Sequence, residues 1–205
     1  RMNKLDYNEI YNLGGGISSS IKKLRNASDD ELYESCLNNI KPFINFGTTT
    51  VEAKSGYGLT TTDEIRSLEI IKKINEELDI DVVPTFLGAH SIPPEFKNNK
   101  NDYIKLICNE MIPEVSNRKL AVFCDVFCEE GYFDIEDAEK ILNTAKKYNL
   151  IPRIHADEFK YFGASKLAKK IGAISADHLM AITQEGIDSL SSSNVVATIL
   201  PGTTF

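Results

Sequence analysis

The sequence predicts an α/β fold in which strand–helix units repeat along a parallel sheet. Three observations predict it. From Thr48 onward, short β-branched runs alternate with longer amphipathic ones, which is the signature of such units. The chain has three histidines, His90, His155 and His178, and each falls at the carboxyl end of one of those runs. That is where parallel strand–helix folds gather functional side chains, whether the sheet is open or closed. Finally, 205 residues with 42% hydrophobic content suffice for one sizeable core and are too few for two comfortable domains.

The elements follow in order. Near the amino end, Gly14-Gly15-Gly16 precedes "ISSSIKKLRNA" but follows no convincing strand, so it reads as a turn or helix start rather than a phosphate cradle. Ser28-Asp29-Asp30-Glu31 has the spacing of a capping box, and Leu32, Cys36, Leu37 and Ile40 then share a helix face. Strands are expected at 48–54, 80–90, 120–128, 150–155, 173–178 and 195–200. Helices with apolar residues at 3.6-residue spacing lie between them. Their faces are Ile65, Leu68, Ile71 and Ile74 after "TTDE"; Ile104, Ile107, Cys108 and Met111 after "NKND"; Ile135, Ala138, Ile141, Leu142 and Ala145; and Ala164, Leu167, Ala168 and Ile171.

Composition narrows the function classes. The net charge is −7, with 23 Lys+Arg scattered among 30 Asp+Glu and no basic run, which argues against a nucleic-acid partner. No apolar segment approaches the ~20 residues of a membrane span, and no leader pattern opens the chain, so a soluble cytoplasmic protein is expected. Cys36, Cys108, Cys124 and Cys128 do not make a disulfide framework. Cys124 and Cys128 sit in "AVFCDVFC" and read as buried strand residues, since a structural zinc site needs four ligands.

The stretch "IPRIHADEF" (151–159) delivers an imidazole and two carboxylates at the mouth of an apolar strand. A neutral imidazole is a good ligand for zinc or iron, which would make water a nucleophile near neutral pH. Glu158 can take a proton from that water and return it to a leaving nitrogen, with Asp157 as the competing carboxylate. His178, one strand further on, can polarise a carbonyl. Tyr57, flanked by Gly56 and Gly58, and His90, in "LGAH", occupy two further strand mouths. Strand alternation puts Glu52 with Lys54, and Arg153 with His155, on single faces. If both faces point inward, a charge network lines the floor; the alternative is a solvated Lys54.

Together, "GGGI" (14–17), "KSGYGL" (54–59), "TFLGAH" (85–90), "DVFCEEGYF" (125–133), "HADEF" (155–159), "SADHL" (175–179) and "LPGTTF" (200–205) closely resemble the imidazolonepropionases of the amidohydrolase superfamily. The resemblance implies a metal-dependent hydrolase of histidine degradation that opens 4-imidazolone-5-propanoate to N-formimidoyl-glutamate. It implies a (β/α)8 barrel with a small β-sandwich, and one zinc or iron ion held by a His-x-His pair, a fifth-strand histidine and an eighth-strand aspartate. By this resemblance His155 matches the metal ligand, Glu158 the water-activating carboxylate, His178 the sixth-strand histidine beside metal and substrate, and Tyr57 and His90 the substrate-holding positions. Cys128-Glu129 stands where two-metal relatives carry a modified lysine, which favours one metal. The family admits a homodimer.

The chain departs from that pattern in having no His-x-His pair and no aspartate after "LPGTTF". Residues 1–205 are therefore expected to be the central part of the catalytic barrel, an incomplete (β/α)8 unit with strands two to seven. The first and last strands and the sandwich would be absent, and the segment alone inactive. The rival readings are another amidohydrolase acting on a cyclic amide or amidine, and a non-catalytic remnant.

Overall fold

The computed structural model describes residues 17–204; the turn or helix start expected at Gly14–Gly16 lies outside them. Six parallel strands form one curled sheet in the order β1 (Thr50–Lys54), β2 (Asp81–Ala89), β3 (Phe123–Cys128), β4 (Ile151–Ala156), β5 (Ser175–His178) and β6 (Val196–Thr198). Each strand pairs with its neighbour in sequence. All six strands expected from the alternation are present.

The helices are α1 (Ile17–Asn26), α2 (Asp29–Asn45), α3 (Thr61–Glu77), α4 (Lys100–Leu106), α5 (Ile112–Asn117), α6 (Ile135–Lys147), α7 (Ala164–Ile171), α8 (Gln184–Ser191) and the short α9 (Pro201–Thr204). The capping box at α2 forms: Ser28 accepts from the Glu31 amide, and Glu31 accepts from the Ser28 amide. Asp134 and Asp137 make a second one at α6. Helix α3 packs on β2, α6 on β3 and β4, and α7 on β4. The apolar faces read from the sequence supply the core: Leu68, Ile74, Ile107, Met111, Ile141, Leu142 and Ala168 are almost wholly inaccessible. Each buried Leu or Ile contributes about 1.5–3 kcal/mol relative to exposure.

The helix expected around 104–111 is real but not uniform, because it widens into a π-turn at Ile107–Met111 between α4 and α5. Pro113 explains this. It has no N–H to donate, and its ring crowds the carbonyl four residues back, that of Asn109; the ladder shifts so that the Ile112 amide donates to Ile107 instead. The third strand also starts later than its β-branched composition implies. Residues 118–120 are spent ending α5, with Lys119 left-handed (φ 52°) and the Leu120 amide bonded to Val115.

Cys124 and Cys128 are fully buried free thiols, as their apolar setting implied. Burial pushes both thiols up, which keeps them protonated at neutral pH. Among the described residues no helix is long and apolar enough to cross a membrane.

Candidate functional site

The carboxyl ends of β1 to β5 surround a hollow of about 380 Å³, and Lys54, Tyr57, His90, His155, Glu158 and His178 are among the residues lining it. All five side chains singled out in the sequence thus reach one cavity. The rings of His90 and His155 are 6.1 Å apart, those of His155 and His178 4.9 Å, and Tyr57 stands edge-on to His90 at 5.0 Å. Glu158 comes within 3.5 Å of His178 Nδ1.

Backbone conformation brings the last of these together. Asp177 and His178 are consecutive and should face opposite sides of a strand. However, His178 and Leu179 both have positive φ (78° and 58°), and this left-handed turn accompanies a His178 ring beside that of His155. Non-glycine residues rarely sit there, and such strain concentrates where a side chain must be aimed.

Below the imidazoles lies the charge network that the alternation of strands anticipated. Lys54 Nζ is 2.7 Å from Glu52 and 2.8 Å from Asp125, and Arg153 reaches both Glu52 and Asp177 at 3.2 Å. Lys54 is therefore a half-buried ion-pair partner and not a solvated strand-end lysine. Although burial depresses Lys54, Asp125 and Glu52 more than reverse this, and its pKa is raised.

Asp125 and Asp177 did not stand out in the sequence, yet both are buried. The signal was available. Asp125 is the one charge inside the apolar run "FCDVFC", in register with Arg153 of β4, the strand that also carries His155, and a buried carboxylate is present for a partner. That partner is His155, whose Nδ1 lies 3.1 Å from the Asp125 carboxylate. A carboxylate can only accept, so Nδ1 carries the hydrogen, and in the neutral ring Nε2 keeps its lone pair. This is the arrangement that orients metal-binding histidines. Burial favours the neutral acid at Asp125, but His155 and Lys54 hold its carboxyl well below the usual carboxylate range. Burial alone would depress His155; Asp125 overrides it, and the imidazole is raised.

The metal-binding potential can be tested on this donor set. Donor atoms of Asp125, His155 and Asp177 all lie within 4.8 Å of one another, and one imidazole with carboxylates suits zinc or iron. Lys54 and Arg153 already compensate the two aspartates, with Lys54 3.8 Å from Asp177. The residues therefore fit a metal in one way: His155 Nε2 as the available ligand, with Asp125 orienting it from behind.

Asp157, the competing carboxylate of the sequence reading, is otherwise engaged. It is completely buried, and its oxygens accept from the amides of Phe162, Gly163, Ala164 and Ser165 at 2.9–3.2 Å. It closes the start of α7 and shapes the loop bearing Glu158, leaving Glu158 as the carboxylate that faces the hollow. The buried Glu129 accepts from the Phe159 amide and ties down the same loop. Asp157→Ala should cost about 2–4 kcal/mol of stability, because several charge-assisted bonds are lost at once; urea unfolding measures it.

The two outer histidines are kept neutral. Burial, followed by the charge of His155, lowers both His90 and His178 to about 4. For His90 the sign follows directly. Its folded pKa lies below the unfolded value, so its contribution to stability is complete above about pH 6.5 and falls as the pH drops towards 4. NMR titration of the metal-free chain should show the His90 ring uncharged until the pH nears 4, whereas a midpoint above 6 would contradict the burial argument.

No family model matches the chain. It is 50% identical over 199 residues to the imidazolonepropionase of Thermoanaerobacter pseudethanolicus, which covers 97% of this chain and 48% of that protein. It is 47% identical over 205 residues to the imidazolonepropionase of Geobacillus kaustophilus, covering 100% of the chain and 48% of the relative. The chain thus spans about half the length of the curated relatives it matches. Among solved structures it resembles a 5-methylcytosine deaminase from Klebsiella pneumoniae liganded with 5-fluorocytosine (TM-score 0.66, 13% identity, 87% of this chain and 46% of that one). It also resembles the adenine deaminase from Arthrobacter aurescens (TM-score 0.68, 10% identity, 96% and 58%). At such low identities these structures speak for the fold, that of an incomplete (β/α)8 barrel.

Proposed function

Since the chain belongs to the imidazolonepropionase family, we propose that it forms the central part of a catalytic barrel that hydrolyses the ring amide of 4-imidazolone-5-propanoate to N-formimidoyl-glutamate. The observation that carries this reading is the convergence of His155, Glu158 and His178 on one hollow, in contact with a ring-lined wall of Tyr57 and His90.

His155 would hold a single zinc or iron ion through Nε2, together with donors beyond the described residues. When bound, such an ion supplies Lewis acidity, making water nucleophilic near neutral pH and drawing charge from a carbonyl. The chain's own residues do the rest. Glu158 accepts a proton from the attacking water as its oxygen bonds to the ring carbonyl carbon. His178, neutral at working pH, donates an N–H to the oxygen on which negative charge develops. As the carbonyl re-forms, the ring C–N bond breaks and Glu158 returns the proton to the departing nitrogen. Tyr57 and His90 hold the flat ring in place for attack. Asp125 takes no part in the proton transfers and keeps His155 in the correct tautomer.

A chimera tests the proposal. Replacing the aligned segment of the Thermoanaerobacter pseudethanolicus relative with this chain should give a protein that opens imidazolonepropanoate when supplied with zinc or iron. A folded, metal-loaded chimera that leaves the imidazolone intact would overturn the reading; turnover of a cytosine- or guanine-like ring instead would assign the site to another amidohydrolase.

A further inference from the structure

Glu64 is a wholly buried carboxylate to which the hydrolytic steps assign no part. It rises from the first turn of α3 and accepts four backbone hydrogen bonds from the loop after β1. Oε1 takes the amides of Gly56, Gly58 and Leu59 at 3.2, 2.9 and 2.9 Å, and Oε2 takes Gly56 at 2.9 Å. The loop is wrapped so tightly that side chains are excluded at both glycines. A Cβ on Gly56, which has φ 109°, would meet the Leu87 carbonyl oxygen at 2.8 Å, and one on Gly58 would meet Asp63 at 2.4 Å. Leu59 is itself left-handed (φ 56°), and Arg25 Nε donates to the Gly58 carbonyl from the outside at 2.7 Å.

What this loop presents to the hollow is Tyr57, and what its backbone presents to β2 is the Gly56 carbonyl, 2.9 Å from His90 Nδ1. A carbonyl only accepts, so His90 must carry its hydrogen on Nδ1 and leave Nε2 as an acceptor. The Gly56 residue therefore connects two groups: its N–H is held by Glu64, and its C=O chooses the tautomer of His90. The edge-on contact between Tyr57 and His90 completes the unit.

We propose that Glu64 is a positioning residue for the substrate side of the hollow, fixing through Gly56 both the place of Tyr57 and the Nδ1–H tautomer of His90. A helix-borne carboxylate would thus decide that the wall offers a hydrogen-bond acceptor at His90 Nε2, the match for an N–H of a flat cyclic amide. This last consequence rests on the proposed substrate roles of Tyr57 and His90; the positioning itself does not.

Nitrogen-15 NMR of the imidazoles, aided by there being only three histidines in the chain, tests it. The native protein should show His90 protonated on Nδ1, with the amides of Gly56, Gly58 and Leu59 slow to exchange although they belong to a loop. In Glu64→Gln, one acceptor oxygen becomes an NH2 that faces loop amides. Exchange at those three positions should then quicken by roughly tenfold or more, and His90 should turn into a mixture of tautomers; Glu64→Asp should restore part of both signals. A folded Glu64→Gln variant with unchanged His90 tautomer and unchanged exchange would overturn the proposal. If that variant does not fold, the native spectra decide, since a proton on His90 Nε2 or fast exchange at the three amides is fatal by itself. Failure of the substrate roles would look different: Tyr57→Phe and His90→Asn would leave KM of the chimera unaltered while the NMR signature stood.

Discussion

Glu158→Gln, placed in the chimera, should lower kcat for imidazolonepropanoate by about 10²–10⁴-fold, leaving metal content and KM nearly unchanged. Glutamine is almost the same shape and keeps an acceptor oxygen, so it can still occupy the loop shaped by Asp157 and Glu129. It cannot hold a proton between the attack of water and the departure of nitrogen. A loss confined to kcat means an interaction realised only in the transition state, whereas a rise in KM alone would mean that Glu158 merely binds the ring. Steady-state kinetics with metal analysis on the same samples separates the two, and activity within threefold of the parent would remove Glu158 from the mechanism.

Asp125→Ala should be the most damaging single change to stability, at about 3–5 kcal/mol. The carboxylate has no exposed surface and serves Lys54 and His155 together. Its removal leaves a half-buried ammonium with Glu52 and a more distant Asp177, and an imidazole with nothing to orient Nδ1. Asp125→Asn should cost less, because the amide oxygen can still accept from one of the two. It should nonetheless disturb the His155 tautomer, since its NH2 can donate to Nδ1 and drive the hydrogen to Nε2. Urea denaturation at neutral pH gives the first number, and the His155 nitrogen shifts give the second. If the alanine variant unfolds at the same urea concentration as the parent, the floor network contributes nothing to stability.

Much of this was legible in the sequence because period and position carried it. Strands declare themselves by β-branched runs, and the helix faces at 65–74, 135–145 and 164–171 by their spacing, so the six strands follow from local patterns, while their barrel order followed only from the family resemblance. His90, His155 and Glu158 are picked out by the rule that a parallel sheet puts useful groups at strand ends, and the fold brings them to one hollow. What stayed hidden depended on contacts between residues distant in sequence or on backbone twist. Asp157 and Glu158 are equivalent carboxylates on paper, and only the four amides of the following loop and helix start show which one is consumed. Glu64 looked like an ordinary first-turn acid of a helix beginning "TTDE"; nothing local says that the chain eight residues earlier wraps round it. The π-turn at 107–111 was announced by Pro113, but periodicity alone treats a proline within a helix as a boundary rather than a shift in the hydrogen-bond ladder.

The neighbour-only strand order of the sheet bears on how the molecule is assembled. Every strand among the described residues finds its partner one strand–helix unit away, so each pairing waits only for the next unit, although a parallel pair closed over a whole helix forms more slowly than a local hairpin. On the ribosome, such a sheet can be laid down rung by rung in the direction of synthesis. A lesion in one rung, such as a proline in the middle of β3, would then stall everything translated after it and spare the hairpin-free stack already built.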